Sequence, residues 1–306
     1  LQLRDEVVFP LEGLPTDQAA VMFSTCASRL ARHFDPHADP VALREICRLT
    51  GGLPLALELA AAWTPRYPLH EIASQICADS EAFSGAFQDL PLDQRSLRAI
   101  IEFSWNLLAP AAQKKLAALS VFRGSFTSQQ SEAVSGAGRE ELALLVQNSF
   151  LQATSAETFS MHEIVRQFAA GCLAQNPSHE MDARRAHQVL FGSLLNQQNA
   201  LLIGGESTKH ALQTLTEYFD DLRAAWENAC RQADSDWLDT AAEPLHKFSE
   251  GQARYREGQA LFALALASLP PDSSLSRLRS HHAALLLRLG RLPEALAEAE
   301  SVQAES

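Results

Sequence analysis

The chain has 306 residues, 46% of them apolar and 20% charged, with a formal net charge of −12. That length allows one to three domains with a sizeable core. The acidic balance excludes a general nucleic-acid or anionic-membrane surface, and no apolar run is long enough to span a bilayer. Cys26, Cys47, Cys77, Cys172 and Cys230 are dispersed, odd in number and without CxxC or Cys/His spacing. They read as small buried hydrophobes in a reducing compartment, so the expected location is cytoplasmic. Alanine and leucine are abundant and β-branched runs scarce, which favours a mostly helical chain.

Val7-Val8-Phe9-Pro10-Leu11 is a short apolar run ended by proline, as in a last strand or a linker. A helix is expected from Pro15-Thr16-Asp17, capped by Thr16 or Asp17, with Ala19, Ala20, Phe23, Ala27 and Leu30 on its apolar face. After a loop at 35–40, Val41, Ile46 and Leu49 mark a second helix that stops at Gly51-Gly52. Gly52-Leu53-Pro54-Leu55 then opens an alanine-rich helix. Proline at a first helical turn costs no hydrogen bond, and glycine lets backbone approach closely. Local physics alone makes this a well-started buried helix.

Residues 96–108 are expected to form an amphipathic helix with Leu97, Ile101, Trp105 and Leu108 on one face, stopped near Ala109-Pro110. Helices over 111–119, after a Thr127 or Ser128 cap, and over 139–148 follow. Two short runs at 150–153 and 157–160 flank a polar turn and predict a hairpin. The second run leads directly into Met161-His162-Glu163, and Ile164, Val165, Phe168 and Cys172 lie at helical spacing beyond it. His162 therefore sits where the first backbone N–H groups of a helix lack internal partners, a place suited to a phosphate. The plainer reading is a histidine that only packs or caps.

After Asn176-Pro177-Ser178 the rest reads as helix, over 179–198, over 212–232 and onward, with a loop at Gly204-Gly205. Asp220 and Asp221 are expected on a solvated helix segment, and His281-His282 at the surface. Ala260-Leu261 and Ala295-Leu296 lie 35 residues apart, near the 34-residue tetratricopeptide period, and Gly290 is expected to permit close helix approach. One and a half repeats cannot close a solenoid, so the array is expected to continue past Ser306.

Two motifs carry a family resemblance. Gly52-Leu53-Pro54-Leu55 resembles the GLPL motif of NB-ARC and other STAND-type signalling ATPases. Met161-His162-Glu163 resembles their MHD motif, with Glu163 in place of the usual Asp. The order of segments 97–108, 119–127, 144–151 and 159–169 is similar to the winged-helix domain of AfsR- and LuxR-like bacterial STAND regulators, and 221–226 resembles the helix that begins their superhelical region. The resemblance implies a mainly α fold: a helical domain plus a winged helix with one β-hairpin, followed by a TPR-like α-superhelix. The implied boundaries are 1–14 for the end of a nucleotide-binding core or linker, 15–90 for the helical domain and 91–176 for the winged helix. A helical linker domain over 177–250 and repeats over 251–306 follow.

The same resemblance implies a regulatory portion of an ADP-off, ATP-on switch. Pro54, supported by Gly52 and Leu53, would lie against adenine and ribose, and His162 would contact the β-phosphate. No GxxxxGK[ST] phosphate loop occurs in the chain. So no enzyme activity is expected of it alone, nor tight binding of ADP or ATP; the phosphate loop and Mg would belong to a longer parent. The implied partners are that missing P-loop domain and a protein or small-molecule inducer at the repeats, with oligomerisation on activation. No membrane contact is expected. Direct DNA contact is disfavoured: the candidate recognition helix carries Glu140 and Glu141, and residues 91–175 hold seven basic and seven acidic residues. The alternative is a helical-repeat protein–protein scaffold without nucleotide dependence.

Overall fold

The computed structural model describes residues 13–82, 92–203, 206–270 and 275–305. The run at 7–11, most of the 1–14 linker, the Gly204-Gly205 loop and the 90/91 boundary lie outside the described residues. Among the described residues the fold is mainly α, with only short strands. Two compact units divide the chain. One holds the described residues through Leu116 with Arg139–Ala156 and Met161–Phe168; the other holds Ala117–Gly138, Glu157–Ser160 and the described residues from Ala169 onward. Residues of the expected winged-helix block are thus shared between the two.

The first unit begins with α1 (Thr16–Leu30), α2 (Pro40–Leu49), α3 (Pro54–Ala61), α4 (Leu69–Ala82) and α5 (Leu92–Asn106). Pro15, not Thr16 or Asp17, occupies the cap position of α1, and no side chain caps it. Asp39 caps α2 by accepting from the Ala42 N–H at 3.0 Å. Val41 is 70% exposed, so the buried stripe of α2 is Ala42, Leu43, Ile46 and Cys47. Helix α3 is buried almost all round, by Leu55, Ala56, Leu57, Leu59, Ala60 and Ala61, and packs against α1, α2 and α5. Trp63 closes this core: its indole N–H donates to Ser104 Oγ at 2.9 Å and its ring lies 4.4 Å from that of Phe103.

Next come α6 (Pro110–Leu119), β1 (Phe126–Thr127), α7 (Ser128–Ser135), α8 (Arg139–Gln147), β2 (Gln152–Ala153), β3 (Thr158–Ser160) and α9 (Glu163–Ala174). Thr127 and Gln130 form a reciprocal capping box at the start of α7. Strand β3 pairs antiparallel with β1, Phe126 opposite Phe159 and Thr127 opposite Thr158. The apolar stripe of α9 is Val165, Ala169 and Leu173; Ile164 is 42% exposed and lies off it.

The remainder is α10 (Pro177–Asn199), a 3-10 turn at Ala200–Ile203, α11 (Glu206–Glu217), α12 (Phe219–Gln232), α13 (Ser235–Gly251), α14 (Tyr255–Ser268), α15 (Ser276–Arg288) and α16 (Leu292–Glu305). Residues 212–232, expected as one helix, are therefore two, broken at Tyr218. Helices α14, α15 and α16 pack successively. Gly290 is needed for its backbone, at φ 74°, and not for close approach: a Cβ there would meet nothing within 4 Å.

Three polar side chains correct the expected surface. Asp220 is exposed and pairs with Arg223, but Asp221 is 1% exposed. Its carboxylate accepts from the backbone N–H groups of Arg123 (2.7 Å) and Gly124 (3.1 Å) and from His187 Nε2 (2.9 Å). His281 is half-buried and stacks on His246 at 4.6 Å, and His282 is buried between Gln259 and Glu298. Removal from water is tolerated because each polar group meets a partner or an aromatic face.

Candidate functional site

The turn before α3 follows from its glycines. Thr50 ends α2; the Gly51 N–H donates to Arg48 O and the Gly52 N–H to Cys47 O, both at 3.1 Å, which is a Schellman closure. Gly51 and Gly52 adopt φ of 59° and 65°, a region costly for side-chain-bearing residues. A second demand falls on Gly52. A Cβ there would lie 2.2 Å from Leu14 O and 2.8 Å from Leu14 N, and the Leu14 N–H donates to Gly52 O at 2.8 Å. A Cβ on Gly13 would lie 1.9 Å from Gly51 O. Residues 13–14 and 51–52 therefore cross backbone against backbone. Leu53 donates to Thr50 O and caps α3, and Pro54 stands at its first position, exposed.

His162 is exposed at the start of α9. Its Nδ1 accepts from the Ile164 N–H at 3.3 Å, and its carbonyl accepts from the Arg166 N–H at 2.9 Å. In the neutral ring this leaves the proton on Nε2. Glu163 turns away from capping: it is bidentate to Arg166, at 2.6 and 2.7 Å, and accepts from Gln167 at 2.8 Å. Glu163 thus forms a surface ion pair one turn into the helix.

Glu58 lies one turn after Pro54 on α3. Burial pushes its carboxyl above the ordinary range, opposed by the charges of His162 and Arg29. The Cys26 thiol is raised by burial and then by Glu58, with Arg29 opposing. Ser149, at φ 59°, donates from Oγ to Glu58 O at 3.3 Å. Helix α1, helix α3, the turn at Ser149 and the start of α9 share one charge neighbourhood inside the first unit. No hydrogen bond or ion pair among the described residues joins His162 to Gly52, Leu53 or Pro54. Glu58, Ser149 and Gly13 are not singled out by the sequence. Glu58 looks like one more polar residue in a helix, and only the burial of that helix changes its meaning.

This fold and turn define a mainly α protein with a glycine-locked helix start and the histidine-headed start of a second helix in one compact unit. The chain matches no protein-family model. Over 258 residues it is 28% identical to a Mycobacterium bovis protein named "Putative HTH-type transcriptional regulator Mb0914c" and equally to its Mycobacterium tuberculosis counterpart Rv0890c, covering 81% of this chain and 29% of each relative. Over 127 residues it is 34% identical to the M. tuberculosis "Uncharacterized protein Rv0894", covering 41% of this chain and 32% of that protein. The chain therefore spans under a third of the length of these curated relatives. A crystal structure of a signal transduction ATPase with numerous domains (STAND) with a tetratricopeptide repeat sensor, from Pyrococcus horikoshii, aligns at 14% identity with a TM-score of 0.44, covering 96% of this chain and 41% of that one. Among the described residues no helix is long and apolar enough to cross a membrane.

Proposed function

We propose that this chain is the regulatory portion of a STAND-type nucleotide switch, with its helical repeats sensing a ligand or partner. The observation that carries the reading is that the GLPL-like turn and the His162 helix start fall in one compact unit. In this reading ADP is held between a P-loop domain of the longer parent, which also supplies Mg, and the pair Pro54 and His162. With Nδ1 committed to the Ile164 N–H, Nε2–H is the donor for the β-phosphate, beside the positive end of α9. Exchange for ATP shifts the population towards a state in which this contact is lost, and binding at the repeats biases that equilibrium.

The name of the M. bovis relative agrees with an output in transcription. DNA contact is not assigned to this segment, because α8 offers Glu140 and Glu141 and the latter is engaged by Lys115. A scaffold without nucleotide is the second reading, favoured by the capping role that His162 Nδ1 already fills. The parent protein, extended upstream of Leu1, separates the two: it is purified, denatured and assayed for released adenine nucleotide. Stoichiometric ADP that is lost in His162→Ala, with raised basal output, is the expected result. A well-folded parent without nucleotide would refute the switch and leave the scaffold.

A further inference from the structure

A cavity of about 690 Å³ lies within the first unit, between the loop that joins α1 to α2 and the connection from α3 to α4. Arg32, Asp35 and Asp39 all line it, yet among the described residues the Arg32 guanidinium pairs with neither carboxylate. We propose that this cavity binds a small zwitterion with an aromatic body, in the class of a free aromatic amino acid, with Arg32 on its carboxylate and Asp35 on its ammonium. The site is separate from the GLPL-like turn. Helices α1 and α2 meet that turn through Leu14 and Thr50, whereas their other ends, Leu30 and Asp39, line the cavity. Helix α3 starts at Pro54, and the chain reaches the cavity only at Thr64, beyond its far end. The inference therefore does not rest on the nucleotide reading.

The apolar part of the cavity is held from behind. Leu69 is buried, and Phe34 and Tyr67 are half-buried. The Phe34 ring lies 6.1 Å from that of Phe23 in the core, and Tyr67 meets Phe103 edge-on at 6.0 Å. Rings fixed in this way offer area to a planar body at little entropic cost. The carboxylates are fixed too. Asp35 Oδ1 accepts from the His37 N–H at 2.9 Å and Asp39 Oδ1 from the Ala42 N–H at 3.0 Å, which leaves Oδ2 of each to accept from a ligand. Elsewhere Arg48, Arg166, Arg223 and Arg291 each close on a carboxylate three residues away. Arg32 and Asp35 have that spacing but not that contact, because α1 has already ended at Leu30 and the helical geometry that brings such pairs together is gone. Two charges of opposite sign thus share one cavity without neutralising each other. Two carboxylates against one guanidinium disfavour a ligand that is only an anion. A ligand that is only a cation leaves the bidentate donors of Arg32 without an acceptor. A zwitterion satisfies both, and the volume lies within the ~300–1,000 Å³ of small-molecule sites.

The test follows backbone amide shifts by NMR while the 306-residue chain is titrated separately with L-tryptophan, tryptamine and indole-3-propionate. The three share a ring system and differ in charge. L-tryptophan should give saturable shifts at residues 30–39 and 64–70 and bind about tenfold more tightly than either congener. Arg32→Gln should weaken L-tryptophan about tenfold and leave tryptamine unchanged. Asp35→Asn keeps an oxygen for the His37 N–H; it should weaken L-tryptophan about tenfold and leave indole-3-propionate no weaker. Both side chains are exposed, so these variants should melt like the parent chain. The absence of saturable shifts at these residues with L-tryptophan overturns the proposal. Tryptamine binding as tightly as L-tryptophan removes the role of Arg32, and indole-3-propionate doing so removes that of Asp35; either result overturns the zwitterion assignment. Unchanged L-tryptophan affinity in both folded variants does the same.

Discussion

Gly52→Ala is the sharpest test of the turn that presents Pro54. Two separable penalties apply. The backbone at φ 65° costs an alanine about 1 kcal/mol. The new methyl would also stand 2.2 Å from Leu14 O, a backbone atom that cannot swing aside. Relief requires residues 13–14 to lift, which sacrifices the 2.8 Å Leu14–Gly52 hydrogen bond at a further ~1 kcal/mol, with strain of similar size left over. The expected total is ~2–4 kcal/mol. Gly136 isolates the first penalty, because it adopts φ 67° with nothing within 4 Å of the place a Cβ would take, so Gly136→Ala should cost only ~1 kcal/mol. The chain has two units, so a single unfolding curve is a poor measure. Native-state hydrogen exchange at core amides of each unit gives the two free energies separately. If Gly52→Ala costs no more than Gly136→Ala, the backbone crossing at Leu14 is not what fixes this turn.

Three further outcomes follow from the geometry. The His281 ring is held down to about 4, by burial first and then by the His246 beside it, and His246 is also lowered by burial. The unfolded chain thus binds more protons between pH 6.5 and 4, and stability should fall as pH drops through that window, by about 1–2 kcal/mol once partial exposure is discounted. Thermal melts of the chain and of His281→Gln should converge at the acid end; parallel curves would refute the assignment. Ala233 and Ala253 end helices at φ 49° and 53°, so replacing either with glycine should stabilise by ~0.5–1 kcal/mol, read as a raised Tm. Burial pushes the Cys47 thiol up to about 11, so it should resist iodoacetamide at about pH 8 in the folded chain and react on denaturation.

Helix placement was legible at several points where a cap, a proline or a glycine punctuated the pattern, though α4 after Pro68 was not singled out. Thr127 and Gln130, Asn176 and Pro177, and Gly51 with Pro54 act through atoms a few residues away, so a local reading suffices. The break at Tyr218 carried no such signal, and 212–232 read as one helix. Val41 and Ile164 fit a helical period yet face outward, because a period names a stripe without saying which neighbour covers it.

For the candidate site, the sequence by itself determined that Pro54 opens a helix after paired glycines and that His162 heads another directly after a strand. Only the tertiary structure decided that Glu58 is half-buried, that Leu14 forbids a side chain at Gly52, and that Asp221 is buried while Asp220 is solvated. The physical reason is the same in each case. A charge or a glycine takes its meaning from groups brought to it across the chain, such as Arg123 and His187 at Asp221. Local spacing records none of those separations.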